Sequence, residues 1–278
     1  MRRKRIVFAL ALVSIVLAAT ACGSSKKSKT STTNTTTTPA NANRKLTLPR
    51  GAQPASATKK ATPATLKTLP PGSSAGKGAA PALKGLEGKS VPEKLEIFAG
   101  DAGAFWQKLF SSSNVQFTPA TVNIIASQQT IACNPPGTIS STDVPLYCVG
   151  DSSINLPVDY YQKFDTDPQF GDAGVLTLVG YLWALHVENL VGLLKQQGTS
   201  PASLIQTGFC LDGVYVASVG KRGLLDQGDV DKIGRIIAAG GDAPGTPADK
   251  AIGSPQDLVK AFVAGADSGN PATCASGR

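Results

Sequence analysis

The sequence predicts an α+β fold, a small antiparallel sheet packed on helices with one helix buried at the centre. Three observations carry this. From Ala173 to Lys195 the chain is nearly all apolar, which marks a helix enclosed by others. Runs with helical periodicity and capping signals stand before and after it. Short β-patterned runs are confined to the stretch between Thr121 and Leu156.

Taken in order, Ser90–Val91–Pro92–Glu93 opens the first helix. Ser90 caps, Pro92 suits the first turn and Glu93 completes a capping box. Leu95, Phe98, Phe105, Trp106 and Leu109 follow at helical spacing, and Gly100 and Gly103 weaken the middle. Thr121–Ile125 reads as a strand after Pro119, and Gln129–Cys133 extends the same sheet. A Pro/Gly/Ser loop leads to two short strands, Leu146–Val149 and Ser153–Leu156, and then to a short helix from Val158 to Phe164. Asp172 starts the central helix, which His186, Glu188 and Asn189 interrupt near its end. Those polar residues, and an export signal elsewhere in the chain, favour a buried core helix over a membrane span. Ser203–Ser218 is a second helix carrying Cys210, and Asp229–Ala239 is a third. A fourth runs from the Ser254–Pro255–Gln256 cap to Ala266.

Upstream of this domain, Met1–Arg5 is basic, Ile6–Leu17 is apolar apart from Ser14, and Ala18–Ala21 is a small-residue cleavage region followed by Cys22. This order reads as a removed export signal spanning residues 1–21. Ala19–Thr20–Ala21–Cys22 resembles the lipobox of bacterial lipoproteins. The resemblance implies cleavage before Cys22, acyl chains such as palmitate on the mature N-terminus, and attachment to the extracytoplasmic face of the cell membrane. The competing reading is a secreted protein with a chance cysteine. Residues 22–89, rich in Ser, Thr, Pro, Ala and Lys, read as a disordered spacer with too little apolar surface to offset the entropy of ordering. Within it, Gly72–Ser73–Ser74–Ala75–Gly76 fits G-x-S-x-G but lacks the strand and helix that motif needs. Residues 90–278 form one domain.

The net charge of +8 conceals two opposed halves. Residues 1–90 carry sixteen Lys/Arg and one acid, Glu87, whereas residues 91–278 carry eleven Lys/Arg and eighteen acids. The basic charge lies in the signal and spacer, and the acidic domain would be repelled by phosphates, so nucleic acid is not an expected partner. Four cysteines remain beside Cys22, an even number that fits an oxidising compartment and two disulfides. Of three pairings, Cys133–Cys148 is the simplest, since the two flank one loop between strands. That leaves Cys210–Cys274.

Several blocks then fall in a familiar order: Ala132–Cys133, Leu146–Tyr147–Cys148, Asp151 before Ile154–Asn155–Leu156, Val187–Glu188–Asn189–Leu190, Cys210–Leu211–Asp212–Gly213, Gly228–Asp229, and Asp267–Ser268–Gly269–Asn270–Pro271–Ala272–Thr273–Cys274. Together they resemble the neutral zinc metallopeptidases of bacteria over about residues 92–276. The resemblance implies a zincin-like domain with H-E-x-x-H on the central helix, where two histidines hold zinc and a glutamate activates its water. Aligned on Val187–Glu188–Asn189, those positions are Tyr181, Leu182 and Leu185, and the family's third ligand falls at Ile205. The family's aspartate beside Cys210 is Phe209. His186 is the one histidine in the chain, so H-E-x-x-H exists in no register. Glu188 lies on another helical face from His186 and Asp212 is remote in sequence, so His186 reads as a polar residue at a helix edge rather than a ligand.

The expectation is a membrane-anchored lipoprotein whose domain has lost its peptidase site. It holds no zinc or other cofactor and has no catalytic residue. It binds an envelope protein, peptide or glycan. The competing class is an active zinc metallopeptidase or other envelope hydrolase. A third is a structural envelope protein with no ligand.

Overall fold

A computed structural model describes residues 44–46, 59–72, 83–126, 131–133, 140–141, 144–242, 247 and 251–275. The expected signal, residues 1–21, and Cys22 lie outside the described residues. The elements run β1 (Arg44–Leu46), α1 (Val91–Ser112), β2 (Thr121–Ile125), β3 (Ile131–Ala132), β4 (Ser140–Ser141), β5 (Leu146–Cys148), β6 (Ser153–Pro157), α2 (Val158–Asp165), α3 (Gly171–Leu190), α4 (Pro201–Lys221), α5 (Gln227–Ala239), α6 (Pro255–Ser268) and α7 (Pro271–Cys274).

The mixture of helices and a small sheet agrees with the α+β expectation. The helix ends follow the capping chemistry. Glu93 accepts from the backbone of Ser90 at 2.8 Å at the start of α1, and Asp257 closes the same box with Ser254 at the start of α6. Gly100 and Gly103 do not break α1, because Leu95, Phe98, Ala99, Ala102, Phe105, Trp106 and Leu109 are all buried along one side.

The expected antiparallel sheet is corrected to a mixed one. Its order is β1–β2–β6–β5, with β2 and β6 parallel and the other two pairs antiparallel. A tight turn joins β5 to β6, so β6 necessarily runs back along β5. The connection from Ile125 to Ser153 exceeds the dozen or so residues that a parallel return requires. The segment at Ile131–Ala132 does not extend this sheet either; it pairs with Ser140–Ser141 in a separate two-stranded ladder. The sheet packs on α1, α2 and α3.

The expectation of a wholly disordered spacer up to residue 89 also requires correction. Arg44–Leu46 pairs with β2, the 3-10 helices Pro63–Lys67 and Leu83–Leu86 place Leu66 and Leu86 in the core, and Leu69 is buried just after the first of them. Averaged over the spacer, composition hides three leucines that each find a buried socket. The segment 59–72 is tied down by Gln116 N–H donating to the Lys59 carbonyl at 2.9 Å.

The core sits around α3, which packs against α1, α2, α4, α5 and the β5–β6 hairpin. Two partly buried ion networks join these helices. Lys94 of α1 holds Asp165 at 2.6 Å and Asp172 at 2.8 Å, linking α1, α2 and the start of α3. Asp101 of α1 takes both ends of the Arg222 guanidinium at 2.7 and 2.6 Å and a Tyr215 hydroxyl at 2.9 Å, linking α1 to α4. Among the described residues one helix, α4, is long and apolar enough to cross a membrane, and 67% of that stretch is buried in the fold. Both expected disulfides are present, Cys133–Cys148 and Cys210–Cys274.

Candidate functional site

The candidate site lies where α3 crosses α4. Tyr181 and Leu185 are one turn apart and share a face of α3. On α4 they meet Gly208: a Cβ built there would fall 2.8 Å from Cε2 of Tyr181 and 3.6 Å from Cδ2 of Leu185. The missing side chain is what admits the phenol. Tyr181 stacks on Phe209 with ring centroids 4.5 Å apart. Leu182 and Leu185 are buried, and Ile205, one turn before Phe209, packs partly buried against the core. Beside this seam is a small cavity of about 30 Å³, lined by Tyr160, Phe164, Phe170, Tyr181, Phe209 and Ile236 among others. The structure therefore brings Tyr181 and Leu185 together with α4.

The donor set here does not fit a zinc ion. Leu182, Leu185 and Ile205 carry no ligating atom, and burial pushes the Tyr181 phenol far above its ordinary value, so it stays protonated. Among the described residues no three of His, Cys, Asp and Glu are grouped to hold a metal.

His186 differs from expectation. It is not at a helix edge but completely buried. Its Nε2–H donates to the Thr118 carbonyl at 2.8 Å, which fixes the tautomer, so Nδ1 accepts from the Tyr147 hydroxyl at 3.0 Å. The Asn189 amide donates to that hydroxyl at 2.8 Å. Both ring nitrogens are occupied by protein partners that hold the neutral imidazole. Burial pushes His186 down to about 4 and the Tyr147 phenol up to about 12. The i, i+3 spacing of His186 and Asn189 was the available signal for this cluster; Tyr147 and Thr118 were not readable from it.

Asp212 is the second group that sequence reasoning left aside. It is completely buried on α4, packs against Gly180 of α3, and neither carboxyl oxygen has a hydrogen-bond partner among the described residues. Burial raises its pKa well above the ordinary value, which favours the protonated acid.

These two groups give opposite pH dependences. His186 binds a proton more weakly folded than unfolded. Its contribution is fully present above pH 6.5 and is lost as pH falls towards 4, roughly 3 kcal/mol in all. Asp212 holds its proton more tightly folded. Its contribution is present below the ordinary 3.8 and is lost as pH rises. In Asp212→Asn the opposing slope is removed, so urea unfolding should show a steeper loss of stability between pH 7 and 4.5 than in the wild type. His186→Gln should show a shallower loss than the wild type. Parallel pH profiles for all three proteins would refute this assignment.

No curated protein and no solved structure matches the chain. A family model does, over residues 82–276, and its span takes in the whole α3–α4 seam together with all four disulfide cysteines. The chain belongs to the family described as putative neutral zinc metallopeptidase.

Proposed function

We propose that this protein is a catalytically inactive, zincin-like member of its family, held by lipid on Cys22 at the extracytoplasmic face of the cell membrane. Its function is to bind an envelope protein, peptide or glycan at the site where relatives would hold zinc. One observation carries the reading: of the positions that the resemblance aligns with H-E-x-x-H, Tyr181 and Leu185 pack against α4 as aromatic and hydrocarbon surface and Leu182 is buried. A zinc site is polar and open on one side. Here each buried aliphatic side chain instead contributes about 1.5–3 kcal/mol to the fold, so the domain needs no metal to hold α3 against α4.

The test is metal content and peptide hydrolysis of the purified protein. We expect no stoichiometric zinc, no hydrolysis, and a melting temperature indifferent to chelator. Tyr181→His/Leu185→His should remain inactive, because Leu182 and Ile205 still supply neither base nor third ligand. It should also lose about 1–3 kcal/mol for each imidazole buried without a partner. Chelator-sensitive hydrolysis by the wild-type protein would overturn the proposal in favour of an active metallopeptidase.

A further inference from the structure

A broad groove of about 840 Å³ lies between the strap of residues 59–70 and the C-terminal end of α1. Lys59 and Lys60 line it, together with the hydroxyl residues Thr62, Thr68, Ser112 and Ser113. Lys67 closes the 3-10 helix of the strap, and Lys108 sits one turn before Ser112, whose hydroxyl donates to the Lys108 carbonyl at 2.8 Å. The two segments that build the groove, 59–72 and 102–118, contain no acid at all. Among the described residues none of these four ammonium groups has a carboxylate within ion-pair distance. One helix end carries the equivalent of roughly half a negative charge, so the α1 terminus accounts for only a fraction of this positive charge. The remainder of the domain carries a net negative charge.

We propose that this groove is a docking surface for the anionic headgroups of a phospholipid membrane. The lysines attract the phosphate, and Ala64 and Pro70 offer apolar atoms to the headgroup–acyl boundary. In the sequence the strap follows a segment, residues 23–58, that carries Lys/Arg and no acid. An anionic surface attracts this end of the domain and repels the rest, so docking would orient the domain as well as hold it. The choice of a membrane as partner rests on the reading of Cys22 as an anchor. The test is run without the lipid, so the two ideas fail separately.

The mature chain, residues 22–278 with Cys22→Ser, is mixed with vesicles of phosphatidylcholine alone or with 30% phosphatidylglycerol added. We expect binding to the anionic vesicles only, abolished at high salt. A lysine near such a surface is worth roughly fivefold in affinity, so Lys59→Gln/Lys60→Gln should bind roughly 25-fold more weakly. Lys163→Gln/Lys260→Gln, at residues that do not line the groove, should bind as the parent does. Thermal unfolding of each variant shows that the fold is kept. Absence of binding to anionic vesicles overturns the proposal. So does unchanged binding by the groove variant with release by Lys26→Gln/Lys27→Gln/Lys29→Gln, which would assign the effect to the tether. Displacement by millimolar glycerol phosphate would make the groove a small-phosphate pocket and overturn the membrane reading.

Discussion

Gly265→Ala is expected to cost about 3 kcal/mol or more and to leave much of the protein unfolded under mild denaturant. Gly265 lies on α6, and a methyl group there would fall on the carbonyl oxygen of Cys210 in α4. The next nearest atoms are also α4 backbone, so no rotamer change relieves the overlap and the helices must part. The contact is reciprocal, because a Cβ on Gly213 of α4 would meet the Phe262 carbonyl oxygen of α6. Separating the pair loosens Leu258 and Phe262, which bury against the core. Gly234→Ala is the matched control. It lies inside α5 with nothing within 4 Å of a Cβ, so it should gain about 0.5–1 kcal/mol from the better helix former. Urea unfolding of both variants decides the matter, and a Gly265→Ala protein within about 0.5 kcal/mol of wild type would show that α4 and α6 do not touch backbone to backbone.

That helix crossing also marks the limit of what the sequence discloses. Local chemistry was readable. Ser90 with Glu93 and Ser254 with Asp257 announced two helix starts, and the apolar run after Asp172 announced the buried α3. The cysteine pairing followed from loop position and count. Features that depend on which element meets which were not readable. Alternation along Thr121–Ile125 says that Val122 and Ile124 face inward, but not that β6 will lie beside them in parallel. Gly213 and Gly265 look like ordinary helix-weakening glycines until α4 and α6 are brought together. The spacer showed the same blindness. Leu66, Leu69 and Leu86 are too sparse for any periodicity, and only the sockets they enter explain their burial. At the α3–α4 seam the replacement of donors by Tyr181, Leu182, Leu185 and Ile205 was visible as residue identity. The reason Tyr181 fits, an absent side chain at Gly208 and a stacked Phe209, belongs to packing.

Removing Cys210–Cys274 is expected to be the costliest change to the covalent framework. The bond joins the middle of α4 to α7 across 64 residues, a segment that contains α5 and α6. In the chain-entropy account a crosslink restricts the unfolded chain more as its loop lengthens, which gives about 4 kcal/mol here. Cys133–Cys148 spans only 15 residues and should give about 3 kcal/mol. Cys210 and Cys274 are both buried, so the double alanine variant adds a small packing loss to the entropic one. The position reinforces the effect, since the carbonyl of Cys210 is the atom against which Gly265 packs. Trp106 and Trp183 are fully buried and report unfolding by fluorescence. Cys210→Ala/Cys274→Ala should therefore unfold at lower urea than Cys133→Ala/Cys148→Ala, and both should unfold before wild type. Equal midpoints for the two variants would show that loop length does not govern their stability. A wild type unmoved by reductant would show that the folded core alone holds α4, α6 and α7 together.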